Sequence, residues 1–201
     1  MSERSCPNCG AALPNLLRHA RMVNCAFCGS SVVLEDDVVR KAGEAGEMLD
    51  APELIRLGHA TALPGGVFEA FGHVRYDYGR GHWDEYHGSF DGELVWVSVD
   101  EGDVVLQRPV APRAVPEGGR RLFRIGAEIT VESMTYTCTE VDNAKAVAFR
   151  GQLPDPVEIG DLHLFANFAG YKGAILSGEI WDEGVSWFQG HWIDPFEVTP
   201  L

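Results

Sequence analysis

Two cysteine pairs near the head of the chain constrain it most. Cys6-Pro-Asn-Cys9-Gly10 and Cys25-Ala-Phe-Cys28-Gly29 are matching knuckles with fifteen residues between them. A C-x-x-C turn places two sulfurs on one side of a site, and two such turns complete a tetrahedral thiolate shell of the kind zinc prefers. The glycine after each second cysteine lets backbone amides turn towards the sulfurs. Two disulfides or free thiols are the plainer alternative, and a thioredoxin-type redox pair lacks the βαβ surroundings it needs. Four sulfurs leave no position open for water, so Cys6, Cys9, Cys25 and Cys28 point to a structural Zn2+ rather than a catalytic one. Such binding contributes on the order of 10 kcal/mol to folding a segment with little core of its own.

Downstream, Phe68 to Leu106 sets the fold class. Phe68, Ala70, Val74, Tyr76 and Tyr78 alternate with Glu69, His73, Arg75 and Asp77, the period of two of a half-buried strand. Gly79-Arg80-Gly81 reverses the chain, His82 to Phe90 returns, and Asp91-Gly92 is a tight hairpin signal before Glu93 to Val99. Val95, Val97 and Val99 oppose Leu94 and Trp96, which predicts a strand covered on both faces. Short strands with turn signals continue to the C-terminus. Glu128 to Ser133, Met134 to Val141 and Ala144 to Arg150 come first, with Asp142-Asn143 read as a turn. Leu162 to Phe168, Gly173 to Trp181 and Val185 to Ile193 follow, the last two joined at Asp182-Glu183-Gly184.

The expected fold is therefore mainly β: a small N-terminal zinc ribbon, then an antiparallel β-barrel or sandwich body. The divisions are 1–35 for the ribbon, closed by a strand over Ser30 to Leu34, and 36–52 for a linker with one or two helical turns. A first β part over 53–108, a Pro/Gly-rich connector over 109–121 and a second β part over 122–201 complete them. Leu122-Phe-Arg-Ile-Gly126 echoes Leu54-Ile-Arg-Leu-Gly58 at an offset of 68, which leaves open whether the body has two related halves.

Composition narrows the function. The 201 residues carry a net charge of −14, which repels phosphate backbones unless bases cluster. A basic stretch between the knuckles, Arg18-His19-Ala-Arg21, has three basic groups and no interleaved aromatics, too little for strong nucleic-acid binding and better suited to a loop docking on the acidic body. No apolar run approaches the roughly 20 residues of a membrane span, and the N-terminus has no signal core, so a soluble cytoplasmic protein is expected.

His82-Trp83-Asp84-Glu85-Tyr86-His87 is the densest chemical cluster, but on a strand His82 and Asp84 face away from Glu85 and His87. The plain reading has Trp83 and Tyr86 packing the two faces while the polar groups decorate an edge. His191-Trp192 repeats the His-Trp pair, and Trp83, Tyr86, His87, Trp96 and His191 could line a shared groove. Cys138, with no basic neighbour, reads as a small buried residue. Nucleophile elbows, Walker loops and dinucleotide fingerprints are absent from the sequence.

The cysteine knuckles, Gly72-His-Val-Arg-Tyr76, Gly81-His-Trp83-Asp-Glu85-Tyr86, Trp96 and Gly151-Gln-Leu-Pro154 together resemble a bacterial family, domain of unknown function 4178, in the form with an N-terminal zinc ribbon. Relatives tend to show W-N-E-W where this chain has Trp83-Asp84-Glu85-Tyr86. The resemblance implies no catalytic residue. It implies a bacterial context near polyamine aminopropyltransferase-like and membrane-stress proteins, which is association rather than mechanism. The expected function is a non-enzymatic zinc-containing module that docks a protein partner. The alternatives are a small-molecule-binding or enzymatic β body using the aromatic/His groove and, third, a nucleic-acid contact through Arg18, His19 and Arg21. Cys6→Ser or Cys28→Ser is expected to release the metal and loosen residues 1–34 while the β body holds.

Overall fold

The computed structural model describes residues 4–35, 38–48, 53–181 and 184–201. The ribbon strands are β1 (Met22–Asn24), β2 (Ser30–Glu35) and β3 (Val38–Glu44). The body begins with β4 (Ala60–Leu63), β5 (Gly66–Asp77), β6 (His82–Phe90), β7 (Glu93–Asp100) and β8 (Asp103–Pro109). It continues with β9 (Glu128–Val131), β10 (Met134–Leu153), β11 (Leu162–Ala169), β12 (Ala174–Trp181), β13 (Gly184–Ile193) and β14 (Thr199–Pro200). Every pairing among them is antiparallel.

Strands β5-β6-β7-β8-β13-β12-β11-β10 follow one another in the sheet, and β10 pairs back onto β5. The eight form a partial ring. β10 pairs β11 over 137–145 and β5 over 145–151, so the closing seam starts where the other stops. The end of β10 then hands the sheet to the ribbon, where Met22 and Val23 of β1 pair Leu153 and Gln152.

The two halves of the body repeat one plan. β4 and β9 span 60–63 and 128–131, and β5 and β10 begin at 66 and 134, each 68 residues apart. Hydrogen bonds copy the offset: Gly58 N donates to Ala70 O as Gly126 N does to Cys138 O, both at 2.9 Å. The register copies it too, Thr61↔Phe68 becoming Ile129↔Tyr136. So do the bulges, one between Ala70 and Gly72 and the other between Cys138 and Glu140. β6, β7 and β8 correspond to β11, β12 and β13 in order. The ring's two seams, β5–β10 and β8–β13, join like strand to like strand antiparallel, as a pseudo-twofold requires. The five-residue echo therefore marks two related halves.

The bulges decide where side chains go. One extra residue shifts the alternation by one face. Phe68 and Ala70 thus pack with Tyr86, Val95, Val97 and Leu106 outside the ring, under β4 and β14. Val74 and Tyr76, past the bulge, pack inside with Trp83, Ala144 and Phe165. The expected single face from Phe68 to Tyr78 is corrected accordingly. Phe168, Leu176, Trp187 and Tyr136 form the matching outer core of the second half. Burying a ring such as Phe68 or Phe168, both 0 % exposed, is worth roughly 2–3 kcal/mol.

Two further expectations are corrected. Asp142 and Asn143 do not turn the chain: they pair with Phe165 and Leu164 inside the 20-residue strand β10. The pair lacks the glycine that a tight reversal favours, and both halves of the strand find partners. The 36–52 segment is not helical over 38–44 but forms β3, whose residues pair with the whole of β2. Gly43 and a bulge at Ser31/Val32 suit a twisted edge strand better than a helix. Positions 36–37 and 49–52 of the expected linker, and 182–183 of the expected turn, lie outside the described residues.

Candidate functional site

The four-cysteine centre is built by two superimposable turns. Gly10 N donates to Cys6 O and Gly29 N to Cys25 O, both at 2.8 Å, while Cys6 N and Cys25 N reach Ala11 O and Ser30 O at 2.8 and 2.9 Å. Gly10 and Gly29 have φ of 76° and 69°, the left-handed conformation that closes each turn at little cost for glycine. Beneath the turns, Cys6, Val23, Cys25, Val32 and Leu34 form the ribbon's small core.

The sulfurs of Cys6, Cys9, Cys25 and Cys28 all lie within 4.8 Å of one another. Cys6 Sγ is 3.7 Å from Cys28 Sγ, and Cys9 Sγ is 3.8 Å from Cys25 Sγ. A tetrahedral ion with metal–sulfur bonds of about 2.3 Å sets its ligands roughly 3.8 Å apart. The set fits such an ion and is too wide for S–S bonds of about 2.05 Å. Ser30 lies 3.3 Å from Cys28 Sγ, and Asn8 Nδ2 donates to that sulfur at 3.6 Å. Hydrogen bonds from the Ser30 hydroxyl and amide, then from Asn8, bring Cys28 down to about 6. At Cys9 the Ala11 backbone acts downward, but desolvation and the other three sulfurs push the thiol up to about 12. Four crowded sulfurs shed their protons together only around a cation.

The five predicted groove residues do not meet as one set, although His87 and Trp96 do, with ring centroids 5.0 Å apart. Cross-strand partners share a face, and the register gives two rows. Tyr86↔Val97↔Leu106↔His191 lies outside the ring, and His87↔Trp96↔Gln107↔Gly190 lies inside. Trp83, His87 and Trp96 are therefore internal, Tyr86 is in the outer core, and His191 is exposed on the far face. The plain alternative is corrected as well, since β6 lies between β5 and β7 and is no edge.

Outside the ring, Asp84 binds both neighbours on β5. Its Oδ1 is 2.7 Å from His73 Nε2 and 2.8 Å from Arg75 Nε, and its Oδ2 is 3.0 Å from an Arg75 terminal nitrogen. His73 stacks on Tyr86 at 4.2 Å. Burial alone would raise the Asp84 carboxyl, yet the hydrogen bonds and charges of His73 and Arg75 hold it below its usual range.

Inside the ring, a cavity of about 170 Å³ is lined from β6, β7, β8, β10, β11, β12 and β13. Glu85 accepts from Trp83 Nε1 and from Ser98 Oγ, both at 3.2 Å. Glu179 accepts from Trp181 Nε1 at 3.1 Å. Burial raises Glu85 to about 7, and burial together with the Glu85 charge raises Glu179 to about 8. Glu179, Gln107, Ser98 and Asp100 were not singled out from the sequence. The one signal was the mixed face Ile175, Ser177, Glu179, Trp181 on a strand whose other face holds Leu176 and Gly178.

At the opposite end of that internal row, His19 from the ribbon loop sits against Phe71 and His87, ring centroids 6.1 and 5.2 Å away. Leu17 N donates to Gln152 Oε1 at 2.7 Å, and Arg21 N to Leu153 O at 2.9 Å. The loop is thus tied to the body, and Arg18 and Arg21 line an open cleft beside it. Among the described residues no helix is long and apolar enough to cross a membrane.

No curated protein and no solved structure matches the chain. The profile of one family, described as a domain of unknown function (DUF4178), matches residues 56–195, which take in the ring from β5 to β13 and leave the cysteine ribbon outside. The chain belongs to the DUF4178 family.

Proposed function

We propose that this chain is a non-enzymatic binding module in which one Zn2+, held by Cys6, Cys9, Cys25 and Cys28, fixes the ribbon against the β body and presents it to a protein partner. The reading rests on the sulfur spacing of 3.7 and 3.8 Å, which suits a closed tetrahedral thiolate shell with no position for substrate. Two observations support docking. Phe27, inside the second knuckle, is 81 % exposed on a turn the metal would hold rigid, the form of an aromatic anchor. The acid–base groups of β6 are split between the faces of one sheet, so no nucleophile–base pair forms from them. A cytoplasmic setting fits four thiols placed for metal rather than for disulfides.

Metal analysis of protein purified without chelators should give one zinc per chain, with only sulfur scatterers in its X-ray absorption spectrum. Metal-free protein, or an oxygen or nitrogen ligand at the ion, would refute the closed structural site. For docking, Phe27→Ser should abolish recovery of a partner that the unaltered chain captures from its native host. Equal recovery by both would remove the knuckle from the interface.

A further inference from the structure

We propose that the internal cavity of the ring is a receptor for a compact alkylammonium ion, one that carries at least one N–H and a short apolar tail. The site is assembled from both halves of the body and does not depend on the ribbon metal. Its volume of about 170 Å³ equals that of about six water molecules at roughly 30 Å³ each, which suits a ligand of a few heavy atoms.

The wall chemistry selects the charge. Glu85, Asp100, Asp103, Glu140 and Glu179 line the cavity, and among the described residues no lysine, arginine or histidine does. Glu140 is engaged at the rim by Arg80 and Asn167, Asp100 receives the Tyr78 hydroxyl and Asp103 is exposed, which leaves Glu85 and Glu179 as the deep pair. As carboxylates Glu85 and Glu179 repel one another, and a cation placed with them removes that penalty. Trp83, Tyr78 and Trp192 supply aromatic walls of the type that attract ammonium groups.

An independent observation asks for an N–H. Gln107 is 4 % exposed and its Oε1 is buried without a hydrogen-bond partner. The orientation of the amide is set by its neighbours. Ser98 Oγ donates to Glu85, so it must accept from Gln107 Nε2, 3.1 Å away, and Oε1 is left as the free acceptor. A buried acceptor left unpaired costs about 1–3 kcal/mol, which a donor on the ligand recovers. An inorganic cation fits less well. Among the described residues only the four cysteines bring three or more ligand atoms close enough to share an ion.

The test uses the full metal-loaded chain at pH 8.5 and constant ionic strength, titrated with propylammonium chloride and followed by tryptophan fluorescence and calorimetry. Saturable binding in the millimolar range or tighter is expected. Tetramethylammonium, which has no N–H for Gln107, and propanol, which has no charge, should each bind at least tenfold more weakly. Glu179→Gln and Gln107→Leu, on different strands, should each weaken propylammonium at least tenfold with the near-ultraviolet circular dichroism unchanged. If either variant unfolds, the comparison of the three probes on the unaltered chain stands alone. Absence of saturable binding, equal binding of propanol, or displacement by calcium at equal affinity would overturn the proposal.

Discussion

Glu85 and Glu179 hold their protons more tightly in the folded protein than in the unfolded chain, at about 7 and about 8 against an ordinary 4.5. Their contribution to stability is therefore complete below the ordinary value and is lost as pH rises through the folded values. His87 and His163 behave in the opposite sense. Desolvation lowers both from 6.5 to about 4, so the unfolded chain takes up protons first and stability is lost as pH falls through that window. The thermal midpoint should accordingly peak between about pH 5 and 7. Glu179→Gln should raise it by a few degrees at pH 8.5 and hardly at pH 5. A scan of both proteins across pH checks this, and a parallel offset at every pH would contradict it. Outside the ring, Asp84→Asn removes the anion facing His73 and Arg75 and should cost about 2–3 kcal/mol in urea unfolding. The alternation of 82–87 was legible because a strand's period is fixed by geometry. Gln107 was not, because its unpaired oxygen depends on a hydrogen-bond chain across three strands.

At the scale of elements, hairpins were the readable part: Asp91-Gly92 turns β6 into β7, with Asp91 at φ 47° and Gly92 at 87°. The matching bulges in β5 and β10 were hidden, because the extra residue in each leaves no mark of its own in the sequence, yet each moves the residues after it to the other face, in β10 until a further bulge between Ala146 and Ala148 switches them back. Strand β3 was hidden by helix-forming residues whose preference the pairing with β2 overrides. The seams are the sensitive joints. A methyl group on Gly190, which pairs with Gln107 on the inner face of β8–β13, would sit 2.0 Å from Leu106 O. Gly190→Ala should therefore force that seam apart, lowering stability by about 2 kcal/mol or more and speeding amide exchange across 104–109. Unchanged exchange there would mean the seam has slack.

For the whole molecule, the four-cysteine site was readable because its sulfurs lie in two short motifs, whereas the cavity draws on strands scattered from Tyr78 to Trp192. The join between ribbon and body was not readable either. Met22 and Ala45 share a core with Phe149 and Leu153, and Phe149 N donates to Ala45 O at 2.9 Å. Removing the metal by chelation or by Cys28→Ser should thus lower the midpoint of the entire fold in one transition, read by calorimetry. Two separate transitions would show that the ribbon melts alone. The ring carries a consequence for how the protein is made. Its last seam needs β13, which ends at Ile193, to reach β8, which ends at Pro109. During synthesis the first half must wait with an unpaired edge until nearly every later strand has left the ribosome, so premature termination should yield aggregation-prone fragments rather than a smaller working domain.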